Sequence, residues 1–359
     1  MLSCVLSLYA AMSKLELYSL VFVDTVWGTP LVALLLGGGL FFLFYSRGLP
    51  YRHFGHAIGL MLGRHNTPQE AGELSHGQAL AAALSGTMGL GNIAGVALAI
   101  VAGGPGAVFW MWVSAIVGIA TKFFTCSLGI MYRGEDSLGR LQGGPMYIIR
   151  EALPRQYRPL AVLFSVAGLI GTLPMFQANQ LSALAADTFY GGAAPGWFAP
   201  LFGVGIAAVV AGVIFGGLPR VARVAVTVLP VMVGVYMLMT LAVMTAHAAE
   251  VPAMLSLIVS DAFETRAAAG GFIGVMLIGV SRGAFSNEAG VGTEVMAHGA
   301  ARTNEPIREG LVAMLGPVID TLVVCTCTAI VILLTGQWQA PGALSGITLT
   351  ATAFRSELG

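Results

Sequence analysis

Charge is what this sequence has least of. Of its 359 residues, 9% are Asp, Glu, Lys or Arg, against about a quarter in a soluble domain. A chain so poor in charge cannot cover a globule with polar surface, and 57% of it is hydrophobic. The composition is that of an integral membrane protein. Basic and acidic side chains balance at 17 each, so no basic excess argues for a nucleic-acid partner. Cysteine is scarce too. Cys4, Cys126, Cys325 and Cys327 form no disulfide framework, and the last two stand two apart on different sides of a helix. They read as small packing residues. The opening MLSCVLSLYAAMSK has no basic start and no small-residue cleavage site, so no cleaved signal peptide is expected. The strand-length alternation of a membrane β-barrel is missing. So is any nucleophile with a base at a usable spacing. An embedded enzyme would have to rely on His298, the only histidine near the unusual segments described next.

Long apolar stretches fill the space that charge leaves. A spanning helix needs about 20 mostly apolar residues. Such stretches predict helices near 18–46, 76–101, 105–131, 158–190, 197–217, 222–247, 271–299 and 310–336, with a ninth beginning near 346. The loops alternate in charge. Arg47, Arg52 and Arg64 follow the first stretch, and Arg133, Arg140, Arg150, Arg155 and Arg158 follow the third. Arg220 and Arg223 follow the fifth, and Arg302 and Arg308 the seventh. Segments 103–106, 191–197 and 337–345 carry no Lys or Arg, while 248–270 sets Arg266 against Glu250, Asp261 and Glu264. The positive-inside bias therefore puts the basic loops in the cytoplasm and the N-terminus outside.

Two stretches are odd. SGTMGLGNIAG (85–95) places four glycines and an asparagine at the centre of an apolar run. GVSRGAFSNEAGVGTE (279–294) places Arg282, Asn287 and Glu288 among glycines at membrane depth. GLGNIA fits a dinucleotide-turn pattern, but the residues before it read as helix, not the strand that motif needs. Gly91 and Gly95 form a G-x-x-x-G that suits close helix packing. A deliberate break explains more, because it also accounts for Thr87 and Asn92. Freed amides at a half-helix start hold a carboxylate, and freed carbonyls with Asn92 and Thr87 hold a hard cation. Ser281, Gly283, Ser286 and Asn287 offer the same chemistry in the second segment. Glycine-interrupted spans at corresponding positions point to a secondary-transporter site. Arg282 and Glu288 are too costly to face lipid. They read either as a structural ion pair, with each other or with Lys122, or as part of a gate. Lys122 alternatively snorkels towards the cytoplasmic end. Asp320 is a lone acid in GPVIDTLVVCTCTA, either a cation ligand or proton carrier, or a helix–helix hydrogen bond. In PMFQANQ, Phe176 beside Gln177 suits closure over a small ligand, Gln177 reads equally as amide glue between helices, and Gln180 reads as that glue first.

These motifs resemble one family. GGPGAVFWMWVSAIVG (103–118), GTMGLGNIAGVA, LQGGPMYI, FQANQ, SRGAFSNEAGVGTE and GPVIDTLVVCT are similar, in the same order, to segments of the sodium:alanine/glycine symporters. The resemblance runs from about residue 20 to the chain end. It implies an all-α fold of the LeuT type, with two inverted five-helix repeats preceded by one extra helix. The extra helix would be about 18–46, the first repeat about 76–247 and a partial second repeat about 271–359. It implies Na⁺-coupled symport of alanine or glycine across the cytoplasmic membrane, with Na⁺ as coupling ion and no cofactor. By position, Gly89 and Gly91 would offer amides to the substrate carboxylate. Phe176, Gln177 and Phe285 would line the pocket, and Thr87, Asn92 and Asp320 would hold sodium. Family members have about eleven spans, so the resemblance also implies either a fragment or a truncated, inactive variant. A proton-coupled carrier and a channel are the rivals, the latter needing a continuous polar lining.

Overall fold

A computed structural model describes residues 14–64, 70–264, 271–339 and 346–359. Cys4, Arg266 and residues 340–345 of the 337–345 loop lie outside them. The described chain is helical apart from a two-stranded antiparallel ribbon, Gly134–Glu135 with Leu141–Gln142, in register Gly134 to Gln142. The helices used below are α1 (Lys14–Val26), α2 (Thr29–Tyr45), α3 (His76–Thr87), α4 (Leu90–Gly103), α5 (Gly106–Met131), α6 (Arg158–Gly171), α7 (Met175–Tyr190), α8 (Phe198–Ile214), α9 (Gly217–Ala246) and α10 (Val251–Asp261). Then come α11 (Gly271–Asn287), α12 (Glu294–Gly299), α13 (Pro306–Ala313), a π-helical segment Val318–Cys325, α14 (Thr326–Thr335) and α15 (Ile347–Leu358).

Several apolar stretches are cut where glycine or proline breaks the hydrogen-bond ladder. The first, expected as one span over 18–46, is two helices parted at Trp27–Gly28, with Pro30 in the first turn of α2. Proline is tolerated there because its missing N–H has no partner in a first turn, but it cannot continue a preceding helix. Pro174 parts α6 from α7 in the same way. Four helical runs are long and apolar enough to cross a membrane, five with the bent pair α3–α4 counted as one, among the described residues. At 17 residues, α8 and α11 sit at the short end of the spanning range.

The core gathers around α5. Two-thirds (67%) of its apolar window is buried, against 6% for the run holding α6 and α7. Peripheral helices turn Leu169, Phe189 and Phe215 outward, as a lipid-facing surface requires. Against α5 lies α11, so close that a Cβ on Gly279 would stand 2.3 Å from the Ala107 carbonyl oxygen. Small residues allow such approach, and without water the association rests on packing.

At the end of α9, His247 Nε2 lies 2.8 Å from Glu357 Oε2 on α15, and its Nδ1 lies 3.5 Å from Glu250 Oε1. The hydrogen bond to Glu357, then that to Glu250, raises the His247 pKa. The imidazolium is thus favoured in the folded state. Its contribution is complete below the unfolded value of about 6.5 and is lost as pH rises through the higher folded value. Amide hydrogen exchange over 347–358 is therefore expected to quicken above neutral pH beyond the intrinsic base-catalysed rise. His247→Gln should remove that excess.

Candidate functional site

The odd second span is broken where its glycines stand. Ser75 and Gln78 form a capping box that starts α3. The chain leaves the helix at Met88 and turns through Gly89, at φ 156°, before α4 starts, bent by 42° from α3. Few residues with a Cβ adopt that backbone conformation. Asn92 Oδ1 accepts the Gly89 N–H at 3.1 Å. This corrects one expectation: the Gly89 amide is not free for a ligand. The Leu90, Gly91 and Asn92 amides, in the first turn of α4, have no intrahelical acceptor.

The second odd segment also leaves the helix, but later than its glycines suggested. Ser281 to Asn287 are continuous helix in α11. The departure comes at Glu288 (φ 55°), Gly290 and Gly292, before α12 resumes at Glu294. The main chain of Ser281, Gly283, Ser286 and Asn287 is therefore not opened as expected; the side chains of Ser286 and Asn287 make the contacts instead. Ser286 Oγ donates to Asp320 Oδ2 at 2.8 Å, and Asn287 Nδ2 donates to Thr321 Oγ1 at 3.1 Å.

Asp320 is the junction of three elements. Fully buried on the π-helical segment, it accepts Asn92 Nδ2 on Oδ1 (2.7 Å) and the Ser286 and Thr321 hydroxyls on Oδ2 (2.8 and 2.9 Å). Its backbone oxygen takes Asn92 Nδ2 as well, at 2.9 Å. Cys325 Sγ lies 3.4 Å from Asn92 Nδ2 and 3.3 Å from Ser286 Oγ. Cys325 is thus more than a packing residue, and Cys126 and Cys327 are buried free thiols. A carboxylate has about four lone-pair sites. Three donors leave one open on Asp320 Oδ1, and Asn92 Oδ1 keeps one beside its bond to Gly89.

A cavity of about 820 Å³ opens at the first break. Thr87, Gly89, Gly91, Phe176, Gln177 and Phe285 all line it. Asn92 and Asp320 do not; they stand fully buried, bonded to each other. The Thr87 hydroxyl donates back to Leu84 O at 3.3 Å. Phe285 meets Phe176 edge-on at 5.5 Å between ring centroids and Trp27 at 6.2 Å. Gln180 Oε1 accepts the Ile347 N–H at 3.1 Å, joining α7 to α15.

The expected ion pairs of Arg282, Glu288 and Lys122 do not form. Six residues apart, Arg282 and Glu288 would project from different sides of a helix, and Glu288 lies past the end of α11. Glu288 takes the Thr293 hydroxyl instead. Lys122 is buried on α5, its Nζ 3.1 Å from where a Cβ on Gly316 would stand. Glu294, missed in the sequence, accepts Thr125 Oγ1 at 3.2 Å and Gly292 N at 3.1 Å. A second cluster was missed entirely. His76 Nδ1 and His298 Nδ1 each lie 2.5 Å from one oxygen of Glu309, and all three side chains are buried. Beside it, Leu74 N donates to Ala300 O, Arg302 N donates to Leu74 O, and the Arg133 guanidinium donates to the carbonyls of Ala71, Ala301 and Thr303. No local signal could reveal partners 233 residues apart. Trp27, at a helix break before Gly-Thr-Pro, was the legible hint of a further aromatic.

The model of the sodium:alanine symporter family matches residues 12–359. AgcS of Methanococcus maripaludis, named a sodium/alanine symporter, is 38% identical over 337 residues, 92% of this chain and 73% of its own. YrbD of Bacillus subtilis, named a putative sodium/proton-dependent alanine carrier, is 40% identical over 89% of this chain and 64% of its own. GlnT of Bacillus subtilis, named a probable sodium/glutamine symporter, is 35% identical over 94% of this chain and 69% of its own.

Proposed function

The chain belongs to the sodium:alanine symporter family, and from that premise we propose that it couples Na⁺ entry to uptake of alanine or glycine across the cytoplasmic membrane. It is an amino-acid transporter of the membrane and not an enzyme. The observation that carries the finer reading is the break at Met88–Gly89. It brings first-turn amides, the aromatics Phe176 and Phe285, and Gln177 to one cavity, with the Asn92–Asp320 pair directly behind. The substrate carboxylate meets the Gly91 amide at the start of α4, where main-chain dipoles favour an anion. Sodium takes the remaining lone pairs of Asn92 and Asp320, with the Thr87 backbone oxygen. Each ligand then favours the other's binding through the shared helix start, which is the coupling a symporter needs. An inside-negative potential adds about 2.3 kcal/mol per charge per 100 mV.

We read the architecture as the inverted-repeat LeuT type, with the N-terminus outside. In that orientation Gln142, Leu218 and Ala297, which also line the cavity, belong to the cytoplasmic side with the basic loops. A volume within the range of drug-sized sites exceeds what alanine fills, as suits a water-filled state open inward. Alanine, glycine and glutamine are separated by competition against labelled alanine uptake in proteoliposomes.

The test of the coupling ion is the same uptake with Na⁺ replaced by choline. Sodium coupling is expected to abolish uptake in choline, whereas proton coupling would leave it intact. Asn92→Ala should raise the sodium concentration for half-maximal uptake by roughly tenfold, about 1.4 kcal/mol. Unchanged sodium activation in correctly inserted protein removes Asn92 from the site.

A further inference from the structure

Arg282 makes no hydrogen bond and no ion pair among the described residues. Its place makes that unusual. At 1.5 Å per residue it stands about 16 Å along α11 from Gly271, well inside a bilayer. A guanidinium does not shed its proton, so at this depth it must face water or hold an anion. Half-buried, it lines a second cavity of about 500 Å³ with Trp27, Gly28, Ala102, Ile278 and Phe285. Among the described residues the remaining polar side chain in that lining is Ser281, whose hydroxyl donates to the Trp27 carbonyl at 3.0 Å. Among the described residues no carboxylate belongs to the lining.

The two cavities share Trp27 and Phe285. With Phe176, these rings form an aromatic partition. One cavity holds the broken helix start; the other holds a guanidinium without a partner among the described residues, in an apolar bowl. On the orientation proposed above, the second lies on the outer side, beside Ala102 at the outer end of α4.

We propose that Arg282 is a binding site for a small monovalent anion, receiving the carboxylate of an arriving amino acid before it passes the Phe285 partition. The assignment of the carboxylate rests on the transport reading; the anion site itself does not. A planar guanidinium matches a carboxylate with two parallel N–H donors, which an ammonium cannot do. The apolar bowl admits a small side chain. The zwitterion's own ammonium is repelled, which orients it carboxylate first.

The test uses the full chain in proteoliposomes. Arg282→Gln is expected to raise KM for labelled alanine offered at the outer face at least tenfold, with kcat little changed. KM from the cytoplasmic face should stay as in wild type, and Arg282→Lys should recover part of the loss. A merely structural role would shift both faces alike, and that result, or no shift at either, overturns the carboxylate assignment. Replacing outer chloride by a bulky sulfonate separates the sources. If wild type loses uptake without chloride and Arg282→Gln is indifferent to it, the site stands and its anion is the halide. A readout independent of transport is iodide quenching of tryptophan fluorescence, with Trp27 in the same bowl. It should saturate in wild type, be competed by alanine, and lose saturation in Arg282→Gln. Saturable quenching without any sodium-dependent uptake would fail the transport reading and keep the anion site. Linear quenching identical in both proteins overturns the site.

Discussion

Asp320→Ala is expected to abolish sodium-stimulated uptake and also to destabilise the protein, while Asp320→Asn should abolish uptake with little loss of stability. The two substitutions part the carboxylate's two duties. As a structural hub it takes three donors from α4, α11 and its own segment. Alanine leaves the Asn92 amide and two hydroxyls unpaired in a fully buried site. An unsatisfied buried group costs about 1–3 kcal/mol. The hydroxyls re-aim, Ser286 towards Cys325 Sγ, so a net loss of about 2–3 kcal/mol is expected, above the about 1–2 kcal/mol of one helix–helix hydrogen bond in a membrane because three donors lose their acceptor. Asparagine keeps a carbonyl acceptor and the volume, but has no charge to offer a cation. A melting curve with and without Na⁺ reads both effects. Wild type should gain stability with Na⁺ by mass action, and Asp320→Asn should not. A sodium-dependent shift preserved in Asp320→Asn would confine Asp320 to packing.

The second large effect is expected at Glu309. Its two oxygens each take one imidazole Nδ1, from His76 on α3 and from His298 on α12. An ionised carboxylate only accepts, so both histidines present Nδ1–H to it, while their buried Nε2 atoms find no partner among the described residues. Glu309→Ala strands both donors in a fully buried site. An unsatisfied buried donor costs about 1–3 kcal/mol, so the two together are expected to cost about 2–6 kcal/mol, and the melting temperature of purified protein should fall accordingly. Glu309→Gln is milder. Its carbonyl serves one histidine, and its amide donates to the other once that ring has switched tautomer. A loss within about 1–2 kcal/mol is expected. Equal losses for Gln and Ala would mean that the charge itself, rather than the two hydrogen bonds, holds the cluster.

How much of this was legible in the sequence follows from the range of each interaction. The break in 85–95 was legible because glycine density acts locally, and so was its kinship to 279–294. The position of the second break was not: Ser281 to Asn287 stay helical because packing on α5 through Gly279 and Gly283 outweighs the glycine penalty of about 1 kcal/mol each. Phe176, Gln177 and Phe285 were marked as one pocket's lining, and they line one cavity. Asp320 was legible as a lone buried acid, but its bond to Asn92 spans 228 residues, and nothing in the pattern sets that distance. The His76–Glu309–His298 cluster escaped because each member sits at the polar edge of an apolar stretch, where a titratable side chain is ordinarily solvated.

The stitching between residues 71–76 and 298–309 has a mechanical consequence. Main-chain bonds, one guanidinium and one carboxylate rivet the lower limbs of both interrupted spans into a single lever. That lever has two pivots, Met88–Gly89 and Glu288–Gly292. Neither limb can swing alone without shearing buried polar contacts, so the two are built to move as one leaf on a double hinge.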